Sequence, residues 1–409
     1  MYERQILPRL LEALSDTPVV LLNGARQTGK STLARALPEK REKRRYVTLD
    51  DATALSAAKR DPQGFIEALD GPCVIDEIQK VPELFPAIKA FVDRKRTPGR
   101  FLLTGSANVL LLPGLSESLA GRMEILTLWP LSQQELGGRL RNPVEALFSG
   151  TIGQWSVSPV SRGHLIGAMV RGGYPEAQAR SNEERRHAWF SSYITTLLDR
   201  DVRDLARIEG LTEMPHLLAT LATRSAGLLN VSDLSRSLGI PLTTLRRYLT
   251  LLETTFLITP LPAWSPHPGK RFVKAPKIFL NDSGLMADLL GHETSRIEEG
   301  MGLPGSLFET FVHGELIRHL ATFAPGARLS HFRTFPGTEV DFILENRRGE
   351  IVGIEVKAAS SLTSRDWGGL RQLKEMLSGR FRQGYVIYTG RETIPLGPGF
   401  TALPVGAFF

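Results

Sequence analysis

The sequence predicts a multidomain α/β protein. A parallel sheet with helices on both faces comes first, then a helical region ending in a winged helix-turn-helix, then a second α/β domain. Three patterns lead there. Apolar runs at 19–22, 46–49, 73–76, 101–104 and 124–128 alternate with helical stretches, a βαβ series. Residues 228–258 carry two helical periods broken by a glycine turn. Late in the chain, alternating runs at 339–344 and 351–357 read as a hairpin, with a helix and a strand after it.

The first element is an amphipathic helix, because Ile6, Leu7, Leu10, Leu11 and Leu14 recur at helical spacing. Val19-Val20-Leu21-Leu22 then reads as a buried strand. It runs into Gly24-Ala25-Arg26-Gln27-Thr28-Gly29-Lys30-Ser31, and a helix-forming run from Ser31 to Leu37 stops at Pro38. Strand, glycine-rich turn and helix are the context that the phosphate-cradling loop G-x-x-x-x-G-K-[ST] requires. Backbone N–H groups from Gly24 to Thr32 and the helix N-terminus form an anion site. Lys30 is expected to reach the β- and γ-phosphates of ATP, and Ser31 to hold Mg²⁺ through its hydroxyl.

The next buried strand, Cys73-Val74-Ile75-Asp76-Glu77, ends in two carboxylates. Strand ends in such sheets face the ligand crevice. Asp76 is therefore expected to hold Mg²⁺ beside Ser31, and Glu77 to orient and deprotonate the attacking water. Alone, the pair would read as a solvated acidic turn; the phosphate loop decides otherwise. Phe101-Leu102-Leu103-Thr104 runs into Gly105-Ser106-Ala107-Asn108. Ser106, with Thr104 second, is the expected contact to the γ-phosphate or the water. Leu119-Ala120-Gly121-Arg122 offers Arg122 as a phosphate-sensing arginine, in its own subunit or a neighbour's, which leaves a homo-oligomer open.

With 409 residues the chain is too long for one core. Its 42% apolar and 23% charged residues are those of a globular protein. No apolar run approaches the ~18–20 residues of a membrane span, and residues 1–5 have no signal-peptide character. A cytoplasmic protein without a membrane partner is expected. The single cysteine, Cys73, excludes an internal disulfide. A net charge of +7 permits a nucleic-acid partner without demanding one. The run Lys40-Arg41-Glu42-Lys43-Arg44-Arg45 reads as a solvated loop. The histidines show no metal-ligand spacing.

The nucleotide domain is expected over 1–136, a linker and helices over 137–223, the winged helix-turn-helix over 224–268 and the last domain over 269–409. In the third of these, Val231 to Leu238 forms a short capped helix, Gly239 the turn, and Pro241 opens the next helix. Leu242, Leu245, Leu249 and Leu252 are expected on its buried face. Thr243, Thr244, Arg246, Arg247 and Thr250 are left outward, as on a recognition helix. Phe256-Leu257-Ile258 and the Pro-rich 260–268 supply a wing. Many such folds bind only protein, so DNA is one of two partners the pattern allows.

In the late hairpin, side chains alternate faces along each strand. Glu355 and Lys357 share a face, and Asp341 lies on the partner strand. Asp341 and Glu355 are expected to bind Mg²⁺, with Lys357 as base or charge stabiliser beside a phosphodiester. A solvated charged face is the plain alternative. Glu309 or Glu315, on the helix before, could add a carboxylate.

These residues together resemble a large prokaryotic family that joins an AAA-type ATPase domain to an uncharacterised C-terminal region of restriction-endonuclease-like character. The resemblance rests on the phosphate loop, Ile75-Asp76-Glu77-Ile78-Gln79, Leu103-Thr104-Gly105-Ser106, Leu119-Ala120-Gly121-Arg122, Phe279-Leu280-Asn281-Asp282-Ser283-Gly284-Leu285, and Glu339-Val340-Asp341 with Glu355-Val356-Lys357. It implies an additional-strand P-loop architecture with Glu77 as the catalytic carboxylate, and for the C-terminal domain no more than a nuclease. An Mg²⁺-dependent ATPase that acts on DNA, with the C-terminal domain as nuclease or DNA grip, is the first expectation. A nucleotide-switched interaction protein with an inactive nuclease-like domain is the competing expectation.

Overall fold

A computed structural model describes residues 2–37, 44–108, 119–155, 160–202, 212–266, 274–334 and 337–409. They form two compact units: Arg4–Pro130 with Leu249–Leu257, and Met1–Glu3 with Leu131–Tyr248 and Ile258–Phe409. Most of the basic run at 40–45 lies outside the described residues.

In the N-terminal unit five strands, β1 (Val19–Asn23), β2 (Arg45–Thr48), β3 (Cys73–Asp76), β4 (Phe101–Gly105) and β5 (Met123–Thr127), form one sheet in the order β2-β3-β4-β1-β5. Every pairing is parallel. β4 is the additional strand between β1 and β3. The order sets the carboxyl ends of β1, β3 and β4 side by side. Strands buried on both faces read as near-continuous apolar runs, and β1, β3 and β4 are fully buried, polar only toward their carboxyl ends at Asn23, Asp76 and Thr104. Alternation then splits each strand between two cores. Val19, Leu21, Ile75 and Leu103 pack with Phe85 and Ile88 of the helix Leu84–Arg94. Val20, Leu22, Val74 and Leu102 pack with Leu10 and Leu14 of the helix Leu7–Asp16.

The second unit begins with helices, among them Arg162–Arg171, Glu183–Thr196 and Met214–Thr223. The helix-turn-helix follows. Asn230 caps Val231–Leu238 by accepting from Asp233 N at 3.0 Å, and Gly239 (φ 67°) ends it. The next helix is Leu242–Thr254, of which Leu249–Thr254 is counted with the N-terminal unit. Its buried stripe is Leu245, Tyr248 and Leu252, with Ile240 from the turn. Leu242 is exposed and Leu249 half-buried, against expectation, because the stripe starts one turn into the helix. β6 (Ile258–Leu261) pairs antiparallel with β7 (Lys277–Leu280). The end of the expected wing, at 267–268, lies outside the described residues.

The last sheet is mixed, in the order β12-β13-β11-β10-β9-β8. β8 (Arg328–Arg333), β9 (Glu339–Glu345) and β10 (Ile351–Lys357) form an antiparallel meander. β10, β11 (Phe381–Tyr388) and β13 (Phe400–Pro404) run parallel, and β12 (Ile394–Gly397) closes the edge antiparallel to β13. The helix Gly305–Phe323 precedes the meander, and Gly368–Leu377 connects β10 to β11. Leu370 and Leu373 of that connector pack on Val340, Ile343, Ile351 and Val386 of the sheet. The molecule is thus the α/β protein the sequence predicts.

Candidate functional site

The phosphate loop leaves β1 through Gly24. Its φ is 148°, and a Cβ there would meet the Leu128 carbonyl oxygen at 2.2 Å, so only glycine fits. Gln27 (φ 65°) and Gly29 (φ 93°) complete the reversal, and the helix Lys30–Arg35 starts at once. This conformation turns successive N–H groups toward one point. Lys30 is 5% exposed, and its Nζ donates to the carbonyls of Gly24 (2.9 Å) and Ala25 (2.8 Å). Thr28 Oγ1 donates to Ala25 O at 2.9 Å. Arg26 is half-buried and Thr32 exposed.

Sequence reasoning missed Arg4. Its guanidinium, nearly buried, donates to Thr28 O (2.7 Å) and to Trp129 O (2.6 Å). It ties the loop to the segment after β5. A lone arginine before an amphipathic helix carries no signal of this.

Across the loop, Ser31 Oγ donates to Asp76 Oδ1 (2.9 Å) and Oδ2 (3.2 Å). Thr104 also donates to Asp76, as does the Tyr46 hydroxyl at 2.5 Å. Burial, and then the bond to Asp76, push the Tyr46 hydroxyl up to about 12, so it stays a donor. A hydroxyl and a carboxylate in contact are hard oxygen donors of the kind Mg²⁺ takes, with phosphate and water completing its shell. Ser31 and Asp76 therefore fit that ion.

Glu77 stands in the left-handed region (φ 61°), uncommon for a residue with a side chain. Gln79 Nε2 donates both to Glu77 Oε2 and to Ser106 Oγ, the latter at 2.9 Å. Ser106 Oγ lies 3.3 Å from Glu77 Oε2. β3 and β4 thus bring Glu77, Gln79 and Ser106 together, while Thr104 donates to Asp76 and accepts from Glu77 N at 3.3 Å. Arg122 is bonded elsewhere, to Asp93 and to the Ala120 carbonyl.

In the second unit, β9 and β10 pair Phe342 with Ile354, and the next step sets Asp341 across from Glu355. Both are nearly buried. Asp341 Oδ2 accepts from Val356 N at 2.9 Å, and Lys357 Nζ lies 3.4 Å from Glu355. Burial, then the neighbouring Asp341 charge, hold the Glu355 carboxyl well above the usual range. Glu309 joins this cluster. Glu315 does not: it accepts from Gln133 N at 3.0 Å and from Arg318 at 2.9 Å.

A lysine the sequence did not single out stands at the centre. Lys277, the first residue of β7, is 3% exposed. Its Nζ lies 2.8 Å from Glu309, 3.0 Å from Glu339 and 3.1 Å from Asp341 Oδ1. Burial alone would lower its pKa, but Asp341 and Glu309 hold it raised. Among the described residues no group of three or more His, Cys, Asp or Glu is arranged to hold a metal ion. Glu309, Glu339 and Asp341 converge on the Lys277 ammonium and Glu355 pairs with Lys357, so the residues here do not fit the Mg²⁺ ion expected at Asp341 and Glu355.

Three family models match the chain: an AAA domain over 16–137, and two domains of unknown function, DUF8612 over 162–296 and DUF4143 over 304–408. The uncharacterized proteins Mb2031c of Mycobacterium bovis and Rv2008c of Mycobacterium tuberculosis are each 33% identical to it over 405 residues, 98% of this chain and 83% of theirs. The chain belongs to their family. Its N-terminal unit is a P-loop domain of the AAA type, and nucleotide binding goes with that family. A solved signal transduction ATPase with numerous domains from Pyrococcus horikoshii is 12% identical, with 79% of this chain and 47% of that chain covered, at a TM-score of 0.24. No helix among the described residues is long and apolar enough to cross a membrane.

Proposed function

We propose that the protein is an Mg²⁺-dependent ATP hydrolase that acts on DNA. One observation carries the hydrolase half: the Ser31–Asp76 bond lies next to Glu77, which is paired with Ser106 through Gln79. With ATP bound, the loop N–H groups of residues 24–32 and Lys30 would hold the phosphates, and Ser31 and Asp76 the Mg²⁺, which supplies charge neutralisation on the phosphate oxygens. Glu77 would take the proton of the attacking water, and Ser106 would contact that water or the γ-phosphate. Arg122, paired with Asp93, would serve as a phosphate-sensing arginine in its own subunit or a neighbour's, and a homo-oligomer goes with the second role.

The DNA half draws support from two features. Thr243, Arg246, Arg247 and Thr250 line the exposed side of the second helix of the helix-turn-helix. Helix, three-stranded meander, helix and strand, in that order, also agree with a restriction-endonuclease-like core from 269 onward. One observation favours the competing role, a nucleotide-switched interaction protein: Lys277 stands inside the carboxylate cluster.

Two assays on the purified protein test this. Duplex and branched DNA should bind at low salt, weaken steeply as salt rises and raise ATP turnover. Absent DNA binding, with ATP turnover insensitive to DNA, would leave the switch.

A further inference from the structure

We propose that Lys277 is the resident cation of the C-terminal carboxylate cluster, and that its ammonium closes the cluster to divalent metal. The proposal goes beyond ATP hydrolysis and holds whether or not the N-terminal unit performs it. Lys277 comes from β7, the strand paired to β6 after the helix-turn-helix, not from the helix that carries Glu309 or the meander that carries Glu339 and Asp341. Its side chain is buried, and its Nζ sits within 3.1 Å of one oxygen from each of Glu309, Glu339 and Asp341.

The ammonium stands where a cation held by Glu309 and Asp341 would have to sit. Mg²⁺ demands oxygens at about 2.0–2.1 Å in octahedral array. An ion bridging Glu309 and Asp341 would fall on or beside the ammonium, and two cations at that separation repel strongly in a buried site. The second oxygen of Asp341 is also engaged, by the Val356 N–H. Lys357, the lysine sequence logic assigns to this site, pairs with Glu355 instead and is half-buried. The cluster therefore holds two lysines, one beside the acids on β10 and one in the midst of them. A buried charge without a partner is strongly unfavourable, so the acids and Lys277 stabilise one another. Removing the lysine leaves three close carboxylates that a divalent ion would relieve.

Mn²⁺ binding to the full, nucleotide-free chain tests this, read by isothermal titration and by water-proton relaxation. Wild type and Asp341→Asn should give the same signal, with no site assignable to the cluster. Lys277→Met, close in length and without charge, should gain one Mn²⁺ site, and Lys277→Met with Asp341→Asn should lose it again. Wild-type protein with an Mn²⁺ site that Asp341→Asn abolishes would overturn the proposal. So would folded Lys277→Met protein that gains no site. If Lys277→Met does not fold, the wild-type and Asp341→Asn pair decides, and Lys277→Arg, which keeps the cation, should match wild type.

Discussion

Replacing Arg4 with alanine removes its bonds to Thr28 O and Trp129 O, through which it fastens the phosphate loop to the segment after β5. The guanidinium donates to Thr28 O at 2.7 Å and Trp129 O at 2.6 Å from a nearly buried position. A hydrogen bond from a charged group contributes about 1.5–3 kcal/mol. One such bond ends on the loop itself. Losing that much from the ordered loop lowers the fraction in the binding-competent form, and the apparent dissociation constant rises by the inverse of that fraction. At 1.4 kcal/mol per factor of ten, ATP affinity should fall about 10- to 100-fold. The Trp129 bond falls mainly on the stability of the unit. Arg4→Lys keeps the charge, but one ammonium on a shorter fork cannot serve both carbonyls as well, so it should fall between. The assay is a titration with a fluorescent ATP analogue, with circular dichroism to confirm the fold and Lys30→Ala as the non-binding reference. An Arg4→Ala protein that is folded and binds ATP within twofold of wild type would refute the bracing role.

Gly24→Ala should abolish nucleotide binding while the fold survives, because a Cβ would overlap the Leu128 carbonyl at 2.2 Å; full binding in a titration would contradict the tightness of that turn. Thr104→Val removes a hydroxyl from Asp76, and the acceptor of the Glu77 N–H with it, and leaves Ser31 and Tyr46 on Asp76. It should raise the Mg²⁺ concentration needed for half-maximal turnover, and an unchanged requirement would deny Thr104 that part. His313 is buried against Phe279 and Phe342, and burial, with Arg318 second, pushes its imidazole down to about 3. The unfolded chain takes up that proton near pH 6.5 and the native one only near 3, so stability is lost as pH falls through this window, by up to about 1.4 kcal/mol per unit. His313→Phe should flatten the acid limb of urea midpoints measured from pH 7 to 4, and an undiminished slope would refute it.

Most of the N-terminal sheet was legible because its chemistry is local. Strand, loop and helix follow one another in Val19 to Arg35, and the motif states both the backbone path and the ligand. The C-terminal pairing of Asp341 with Glu355 was legible for a similar reason, since hairpin register follows from alternation. What escaped was contact between distant segments. Arg4 reaches Trp129, and Lys277 reaches Glu309 and Asp341, across separations that no periodicity encodes. Lys277 also breaks the usual rule that lysine stays exposed, which a sequence reading applies by default. Glu309 and Glu315 look equivalent on paper, and only the packing of the helix Gly305–Phe323 sends one to Lys277 and the other to Arg318. Leu242 failed as a core residue because periodicity says which face a residue is on, not where the neighbour that covers the face begins.

The central claim is that Glu77, beside the Ser31–Asp76 pair, turns over ATP. Phosphate release in Mg²⁺ should be measured for wild type, Lys30→Ala and Glu77→Gln, with ATP binding followed in parallel. Wild type should release phosphate, Lys30→Ala should neither bind nor turn over, and Glu77→Gln should bind ATP with turnover down about 10²- to 10⁴-fold. Glu77→Gln turning over at the wild-type rate would contradict the account.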